Sequence, residues 1–515
     1  MPGFSYDLVE YPSHIHAQMH PARLAAIARL HGIDAASPAA CTLLEVGCGD
    51  GLQLLTLALA YPDSRFTGVD LSHKAIERGE AMRARLGLRN LRLVHADLAR
   101  WDADAPRYDY ILAHGFYSWV PGFVREALLA LCGRNLGPAG IAYVSYNALP
   151  GARLRRLVSD LLMFHVRDIE DPHARVAAAR ELLAEVDTLA PGESLYAHVL
   201  RKEAAGFLER PDDVLLHHDD LAEVSEAFSV GQLAADAARH QLHYLADAEY
   251  HSAVGVVRSP QWQQRLQQLG SSDVVAREQY MDHFNGRRFR QTLLCRDAQA
   301  AMLRRRLDAI DGCAASGQPI LEQVDPAPDG AAQLRVSNKQ GASIVLDHPV
   351  ATQAVRRLAQ DYPATLPFAS LLQAAAADSH GGGPSAQDAD ALRNALLMLF
   401  QVGLVGLQVD PPAYALRPGE RPLASPLARL QLQDEDPSRL VTQRPSIAEL
   451  DRSTRALLRL LDGSRDRPAL ARDLADALAP VDADAASHLR LRESIASNLD
   501  IALDSLARLG LLVAA

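Results

Sequence analysis

Three glycines and an acidic residue occur together where the apolar run LLEV meets the helix-like segment LQLLTLALA, in the stretch LLEVGCGDG at residues 43–51. The glycines alternate along the chain and are Gly47, Gly49 and Gly51. Such a turn lets the backbone pass tightly beneath a ligand and presents N–H groups at a helix N-terminus. A dinucleotide fingerprint has the spacing G-x-G-x-x-G, which is absent here, and Glu45 precedes the first glycine. The acid-flanked turn therefore favours a cationic ligand over a bare pyrophosphate.

Two further carboxylates end the next two strand-like runs. Asp70 closes RFTGVD, and Asp97 closes RLVHAD. At a sheet edge, Asp70 can accept both hydroxyls of a ribose, and Asp97 with the backbone of Leu98 can meet an adenine edge. A nucleoside that carries positive charge is S-adenosylmethionine, and we predict it as the cofactor, with S-adenosylhomocysteine as its product. The predicted cofactor-binding residues of this edge are Glu45, Gly47, Cys48, Gly49, Gly51, Asp70, Leu71, Asp97 and Leu98.

The elements that must position these residues alternate between strand and helix patterns from residue 43 to 147. This rhythm is typical of βαβ units and predicts a doubly wound parallel sheet with helices on both faces. A long helical region follows at residues 152–215, and strand patterns return in QLHYLADAEY and RRFRQTLLCR. We therefore predict an α/β fold, a doubly wound seven-stranded Rossmann-like sheet with a helical insertion, in a domain spanning residues 1–297.

The remaining chain contains a weak internal repeat. Residues 353–409 and 448–513 each end with a leucine-rich helix, a glycine turn and a short apolar strand, and a Pro-rich segment separates the two. This pattern predicts two small α+β winged-helix-like modules, at residues 298–420 and 421–515. Their helices are rich in Ala, Leu and acidic residues, and the net charge of the chain is −11. Protein contact is therefore favoured over nucleic-acid binding.

The motifs LLEVGCGDG, FTGVDLS and HADL resemble those of class I S-adenosylmethionine-dependent methyltransferases. The stretches HPARL, AHGFYSWVP, GIAYVSYNALPG and REQYMDHFNGRRFRQTLLCR are similar to a narrower bacterial family, the methyltransferases with a methyltransferase regulatory domain. That family includes rickettsial lysine methyltransferases that modify outer-membrane proteins. The resemblance implies a methyl-transfer enzyme with protein lysine as its acceptor. It also implies that His114 lies near the methionine end of the cofactor.

Two loops at the predicted sheet edge could hold the methyl acceptor, AHGFYSWVPG at residues 113–122 and SYNALPG at residues 145–151. An in-line methyl transfer needs a dry site that holds the two reacting atoms close together. Aromatic faces and polar groups suit such a site. The predicted catalytic residues are Tyr117, Trp119, Tyr146 and Asn147. His114 as a base for a lysine amine is an alternative.

Other features exclude classes of protein. The five cysteines are widely spaced without a C-x-x-C pair, which argues against a disulfide framework and favours a reducing, cytoplasmic location. No stretch has the pattern of a signal peptide or a membrane span. The N-terminal histidines lack the carboxylate or cysteine that would complete a metal site, so we predict no metal and a lid or surface location for them; they are His14, His16 and His20. The run HHDD at residues 217–220 is predicted to be a solvated turn.

Three functions fit these patterns. The first is methylation of an amine, with lysine of a protein substrate favoured and an outer-membrane protein as one candidate. The second is methylation of a small molecule in a pocket closed by the helical insertion. The third is a catalytically silent cofactor-binding regulator that acts through the winged-helix-like modules. In the first two cases these modules could also join two copies of the chain as a homodimer.

Overall fold

The computed structural model of the protein describes residues 10–101, 107–190, 192–209, 213–250, 260–269, 273–300, 303–325, 332–434, 437–480 and 484–514. Its largest feature is a β-sheet built from β1 (Thr42–Val46), β2 (Arg65–Asp70), β3 (Leu91–His95), β4 (Tyr108–Ala113), β5 (Leu136–Ala148), β6 (Ala227–Phe228), β7 (Leu242–Asp247) and β8 (Phe289–Arg296). The strand order is β3-β2-β1-β4-β5-β8-β7, and the two-residue β6 pairs with the end of β5. Strands β1 to β5 are parallel, and β8 is antiparallel to both of its neighbours. The predicted seven-stranded Rossmann-like sheet is confirmed, and its order changes direction between β1 and β4, where ligands of such sheets bind.

Helices cover both faces of this sheet. They are α1 (Pro21–Leu30), α2 (Leu52–Ala60), α3 (His73–Arg85) and α4 (Gly122–Asn135). Successive residues of a strand point to opposite faces, so Leu43 of β1 packs in the core that contains α1 and α2, while Leu44 packs in the core that contains α4. The almost wholly apolar sequence of α2 suits its burial between the sheet and the rest of the chain.

Three helices form the predicted helical insertion: α5 (Ala152–His165), α6 (Pro172–Leu189) and α7 (Leu195–Leu208). The side chains of Asp171 and Ser194 cap the N-termini of α6 and α7. The insertion has its own apolar core, to which Val158, Leu183 and Phe207 contribute. The chain then returns to the sheet through α8 (Val230–Ala238), α9 (Pro260–Leu269) and α10 (Val274–Asn285), so β7 and β8 are the strands that the sequence predicted after the insertion.

A buried ionic network joins β7, β8 and α10. The Arg290 side chain is fully buried and donates to Asp282 at 2.7 and 2.9 Å, to Glu278 at 2.9 Å and to Asp247 at 3.3 Å. Arg287 lies 2.9 Å from the other oxygen of Asp247. Removing one member of such a network leaves uncompensated buried charge, so the network fixes how the last strands pack.

The middle module contains β9 (Ala314–Ser316), β10 (Ile320–Val324), β11 (Gln333–Ser337), β12 (Ser343–Leu346), α11 (Pro349–Asp361), β13 (Leu366–Pro367), α12 (Phe368–His380), α13 (Ala386–Gln401) and β14 (Gly406–Gln408). Its three helices and the small sheet β13-β9-β14 form a winged-helix-like unit, with β10-β11-β12 as a second antiparallel sheet. The module shares one apolar core with α1 and α2. The backbone N–H of Val409 donates to the Ala22 carbonyl at 2.9 Å, and the Tyr61 hydroxyl donates to the Asp410 carbonyl at 2.9 Å. Helix α1 thus lies between the sheet and the middle module.

The C-terminal module contains α14 (Pro426–Asp434), β15 (Arg439–Val441), β16 (Ile447–Glu449), α15 (Arg452–Leu460), α16 (Arg467–Leu478) and α17 (Ala485–Arg508). It has a separate apolar core, and Arg444 joins it to the middle module by donating to the Tyr362 hydroxyl at 2.6 Å. The winged-helix-like character of the fold after the sheet is confirmed. We propose the divisions near residues 297 and 420 as the boundaries between the three parts.

The most apolar stretch of the sequence, NALLMLFQVGLVGLQV, lies in the middle module. It forms the end of α13, a turn at Val402–Val405 and β14, with most of its leucines buried in the core. Within the described residues, no helix has the length and the apolar composition that crossing a membrane requires.

Candidate active site

A cavity of about 500 Å³ lies at the carboxyl ends of β1 to β4. The glycine turn, the ends of β2 and β3, the loop after β4 and the end of β5 supply its floor and one side. The segment Tyr11–His16 and the start of the helical insertion supply other walls. The cavity is therefore placed where the change of strand order predicts a ligand.

The glycine turn needs its glycines for backbone conformation and for space. Gly47, Gly49 and Gly51 all have positive φ, at 71°, 57° and 72°, a region that disfavours residues with a Cβ. A Cβ on Gly47 would lie 2.8 Å from the Phe116 ring, and one on Gly51 would lie 2.7 Å from Leu93. A Cβ on Gly49 would meet no atom within 4 Å. The turn is thus packed on two sides and open at its centre, where a ligand can approach the backbone.

Glu45 is a buried carboxyl beneath this turn. Its side chain is 7% exposed, and its Oε2 has no hydrogen-bond partner among the described residues. Burial, together with the nearby charges of Asp50 and Asp70, raises the pKa of Glu45 to about 8. A buried polar group without a partner is costly, and a cationic group of a ligand would supply both a partner and a counter-charge.

Asp70 and Asp97 lie at the cavity wall, as predicted for the nucleoside end. Asp70 accepts the Gly49 N–H at 2.8 Å and the Ser72 N–H at 2.8 Å, so it also braces the glycine turn. Burial raises its pKa. Asp97 accepts the Ala99 N–H at 3.0 Å. The predicted residues Cys48, Leu71 and Leu98 also line the cavity, and Leu71 is 45% exposed.

His114, immediately after β4, also lines the cavity. Its Nδ1 lies 2.8 Å from the Tyr143 hydroxyl, and its ring stacks on that of His16 with a centroid distance of 3.7 Å. Burial and the neighbours His16 and His14 lower its pKa well below the usual range. Burial and His14 likewise lower the pKa of His16 to about 4. Both rings are therefore neutral at physiological pH.

The four residues predicted for catalysis separate into two pairs. Trp119 and Asn147 line the cavity. Tyr117 and Tyr146 are 1% exposed and lie outside its lining. The Tyr117 hydroxyl donates to Asp236 at 3.1 Å, and the Tyr146 hydroxyl lies 3.1 Å from that of Thr292.

The placement of the two tyrosines differs from the prediction that they would face the acceptor. Their rings pack edge to face with a centroid distance of 6.2 Å, and burial raises the pKa of each hydroxyl. Both side chains join the apolar core that contains α4. For Tyr146 the reason is the pleat of β5, which turns Tyr146 and Asn147 to opposite faces.

The N-terminal segment also lines the site, although none of its residues was among the predicted site residues. Ser13 hydrogen-bonds the Asp50 carboxylate, and the His16 N–H donates to Gln53 at 3.1 Å. Glu10 forms an ion pair of 3.0 Å with Arg78, another cavity residue. These residues carry no periodic pattern, so the sequence offered no signal for their position. The lid or surface location predicted for the N-terminal histidines fits His14 and His16, whereas His20 is buried and caps α1.

Arg155 of the helical insertion and Asp219, which lies after it, also line the cavity. Arg155 forms an ion pair of 2.5 Å with Asp220 and a longer one of 3.7 Å with Asp219. The run HHDD is therefore not the solvated turn that was predicted. It lies in a π-helical turn, Leu216–Asp220, in which His218 and Asp220 are buried.

Three family models match the chain. A methyltransferase domain matches residues 43–140, a model described as a predicted methyltransferase regulatory domain matches residues 212–296, and the PKMT C-terminal winged helix domain matches residues 420–511. The first match contains the glycine turn and the nucleoside-end carboxylates. The second contains β7, β8 and the ionic network around Arg290.

Among curated proteins, the chain is 34% identical over 214 residues to the uncharacterized protein RP028 of Rickettsia prowazekii, covering 41% of this chain and 86% of RP028. It is 38% identical over 291 residues to the uncharacterized protein RP789 of the same organism, covering 56% of this chain. The chain spans about half the length of RP789, at 52%.

Among solved structures, the fold is similar to that of PKMT2 from Rickettsia typhi, with a TM-score of 0.81 and 24% identity. The match covers 98% of this chain and 100% of that one. PKMT2 has also been solved in complex with AdoHcy, with a TM-score of 0.82 and 23% identity to this chain. Together, the domain matches and the likeness to RP028 show that the chain belongs to the family of S-adenosylmethionine-dependent methyltransferases that carry a methyltransferase regulatory domain.

Proposed function

We propose that the protein transfers a methyl group from S-adenosylmethionine to the side-chain amine of a lysine in a protein substrate. The lysine nitrogen lone pair forms the new bond to the methyl carbon. The electron pair of the breaking S–C bond goes to sulfur, leaving S-adenosylhomocysteine and a methylammonium group. Positioning the two reactants in a site shielded from water supplies most of the barrier reduction in such a displacement.

The charge of the cavity is the observation that carries this proposal. Among the described residues of its lining, five carry carboxyl groups and two carry guanidinium groups. The acids are Glu45, Asp50, Asp70, Asp97 and Asp219, and the bases are Arg78 and Arg155. Both arginines already form ion pairs with Glu10 and Asp220. The cavity thus attracts a cationic cofactor and a cationic acceptor, and it opposes an anionic acceptor.

The cofactor residues follow from the same geometry. The buried carboxyl of Glu45 would pair with the ammonium group of the methionine end. Asp70 bonds two backbone N–H groups and keeps lone pairs for the ribose hydroxyls, because a carboxylate can accept about four hydrogen bonds. Asp97 and the Leu98 backbone would hold the adenine, together with Leu71, which also lines the cavity. These residues lie on one side of the cavity, so the methyl group would point toward Trp119 and Asn147.

A lysine must lose a proton before it attacks, since its ordinary pKa is about 10.4. Trp119, Val124 and Phe289 line the acceptor side with apolar surface, and desolvation there lowers the pKa of an amine. A protein acceptor is supported by the C-terminal modules, one of which matches the PKMT winged helix model, and by the name of PKMT2, which denotes a protein lysine methyltransferase. An outer-membrane protein is the first candidate acceptor. We place the reaction in the cytoplasm, since all five cysteines are free and buried.

The test is incubation of the protein with radiolabelled S-adenosylmethionine and a bacterial lysate, followed by separation of proteins from metabolites. Labelled protein bands that yield methyl-lysine on hydrolysis support the proposal. Label among small molecules alone identifies a metabolite enzyme, and tight cofactor binding without transfer identifies a regulator. The variant Asp70→Ala should abolish labelling. Asp63→Ala, which removes an exposed carboxylate at the opposite end of β2, is the matched control and should label as the wild type does.

A further inference from the structure

Behind His114 lies a chain of hydrogen bonds that the methyl transfer does not itself require. The Tyr143 hydroxyl donates to the side-chain oxygen of Gln291 at 3.0 Å, and the same hydroxyl oxygen lies 2.8 Å from His114 Nδ1. Tyr143 is fully buried and Gln291 is 5% exposed. The Gln291 carbonyl accepts the Ala248 N–H at 2.7 Å, which fixes its backbone in the sheet. The three side chains therefore have little freedom to exchange partners.

The direction of these bonds determines which histidine nitrogen carries the proton. A carboxamide oxygen only accepts, and a tyrosine hydroxyl has a single proton to donate. The Tyr143 proton is committed to Gln291, so its oxygen must accept the second hydrogen bond from His114 Nδ1–H. Because the ring is neutral, Nε2 then carries a lone pair and no proton. No hydrogen bond to Nε2 is found among the described residues, although the ring lines the cavity.

This nitrogen lies on the reactive side of the site. Of the nucleoside-end carboxylates, Asp70 ends β2 and Asp97 follows β3, whereas His114 follows β4, across the point where the strand order changes direction. The His114 ring contacts Phe289 edge to face at 5.8 Å between centroids. Phe289 is paired in the sheet with Asn147, one of the cavity residues beside the acceptor. A ligand anchored at Asp70 and Asp97 thus extends its far end toward His114.

We propose that Gln291 and Tyr143 are positioning residues that hold His114 as its Nδ1–H tautomer, so that Nε2 accepts a hydrogen bond from an N–H of the attacking amine. This inference rests on the proposed function. The bond directs the amine lone pair at the methyl carbon. It strengthens as the nitrogen gains positive charge, because hydrogen bonds from charged donors are stronger than neutral ones. The product leaves as methylammonium and gives its proton to water, and His114 stays neutral throughout.

The test uses the full-length protein and the variant Gln291→Leu. Without the Gln291 oxygen, the Tyr143 hydroxyl turns to donate to Nδ1, and the His114 proton moves to Nε2. Nitrogen NMR of the imidazole rings reads the tautomer directly, with His114→Asn used to assign the signals. Tyr143→Phe is a second variant, which removes the acceptor for Nδ1–H. Tyr110→Phe is the matched control, because it removes another buried tyrosine hydroxyl, one that bonds the Ala36 carbonyl outside the cavity.

We expect Nδ1–H in the wild type and Nε2–H in Gln291→Leu. At saturating cofactor, lysate labelling by Gln291→Leu should fall about tenfold, as for the loss of one hydrogen bond, while the Kd for S-adenosylmethionine stays unchanged. Tyr110→Phe should retain the wild-type tautomer and rate. An Nε2–H wild type, or a tautomer that Gln291→Leu leaves unchanged, would overturn the inference. So would a weakened cofactor Kd with an unchanged rate, since Nε2 would then contact the cofactor. If the wild type labels no protein, the proposed function fails, and the hydrogen bond from the attacking amine to His114 Nε2 fails with it. The tautomer measurement still decides the roles of Tyr143 and Gln291.

Discussion

The pKa of Glu45 predicts that cofactor affinity depends steeply on pH. The carboxyl is buried, lacks a hydrogen-bond partner on Oε2 and lies near two other acids, so its pKa in the free protein is about 8. It is therefore mostly protonated at neutral pH. An ammonium group of the cofactor pairs with the ionised form. Binding must then release a proton from Glu45 below pH 8.

The magnitude follows from the ionised fraction. A group with a pKa near 8 is ionised to about one tenth at pH 7 and about one hundredth at pH 6. If only the ionised form binds, the apparent Kd is raised by the inverse of that fraction. The Kd should therefore improve about tenfold, or about 1.4 kcal/mol, between pH 6 and pH 7. The improvement should level off above pH 8.

Calorimetry between pH 6 and pH 9, in buffers of different ionisation enthalpy, measures both the Kd and the number of protons released. The variant Glu45→Gln removes the titrating group while keeping its shape. It should bind more weakly than the wild type at pH 9 and show no pH dependence below pH 8. A flat Kd in the wild type would refute the reasoning. A slope that persists in Glu45→Gln would assign the proton to Asp50 or Asp70 instead.

The same residue affects the stability of the free protein. The folded-state pKa of Glu45 is raised above its ordinary value, so its contribution to stability is fully present below about pH 4.5 and is lost as the pH rises through about 8. Glu45→Gln should consequently melt at a higher temperature than the wild type at pH 8, with a smaller difference at pH 6. Thermal unfolding without cofactor at the two pH values tests this sign.

Three further predictions concern packing and the acceptor side. Gly79→Ala places a Cβ 2.2 Å from the Asp50 carbonyl oxygen, so it should displace the glycine turn. The free energy of unfolding should fall by about 1–3 kcal/mol. Cofactor binding measured by calorimetry should also weaken, although residue 79 lies outside the cavity. Arg290→Met removes the cation that bonds Glu278 and Asp282 and leaves Asp247 paired with Arg287 alone. It should destabilise the fold by about 3–5 kcal/mol, measured by denaturant unfolding; a stable variant would contradict the energetics of the network. Trp119→Ala should lower the methyl-transfer rate, whereas Tyr117→Phe should leave it near the wild-type value, because that hydroxyl contacts Asp236 and not the cavity; equal losses in a radiolabel assay would reverse this distinction.

The cofactor half of the site could be predicted because its signals are local in sequence. The glycine turn and Asp70 each lie at the end of a strand-like run, and the sheet brings such ends to one edge. The acceptor half depends on contacts between distant segments. Nothing in the stretch AHGFYSWVPG indicates that Tyr117 bonds Asp236 of α8. Similarly, HHDD has the composition of an exposed turn, and its burial is imposed by the helices of the insertion.

In the fold, too, the features with local sequence signals were predicted, and those that depend on contacts between distant segments were not. The βαβ rhythm predicted the parallel strands, and the return of strand patterns after residue 215 predicted β7 and β8. The ionic network around Arg290 was not predicted, because its members come from two strands and a helix that are separate in sequence. The wall formed by Tyr11–His16 was also missed, since an irregular segment has no periodicity from which to infer its position.

The position of helix α1 has a consequence for how the protein can be divided. The wall segment Tyr11–His16 runs within a few residues into α1, and α1 is sandwiched between the catalytic sheet and β14. One short length of backbone therefore connects the wall of the cavity to the middle module, which is distant in sequence. A protein truncated before the middle module would expose the face of α1 that packs on that module. The segment Tyr11–His16 would then lose the support of a firmly packed α1. Loss of cofactor binding in such a shortened protein would therefore reflect the lost support of α1, and a test of the pocket needs at least the middle module in addition to the sheet.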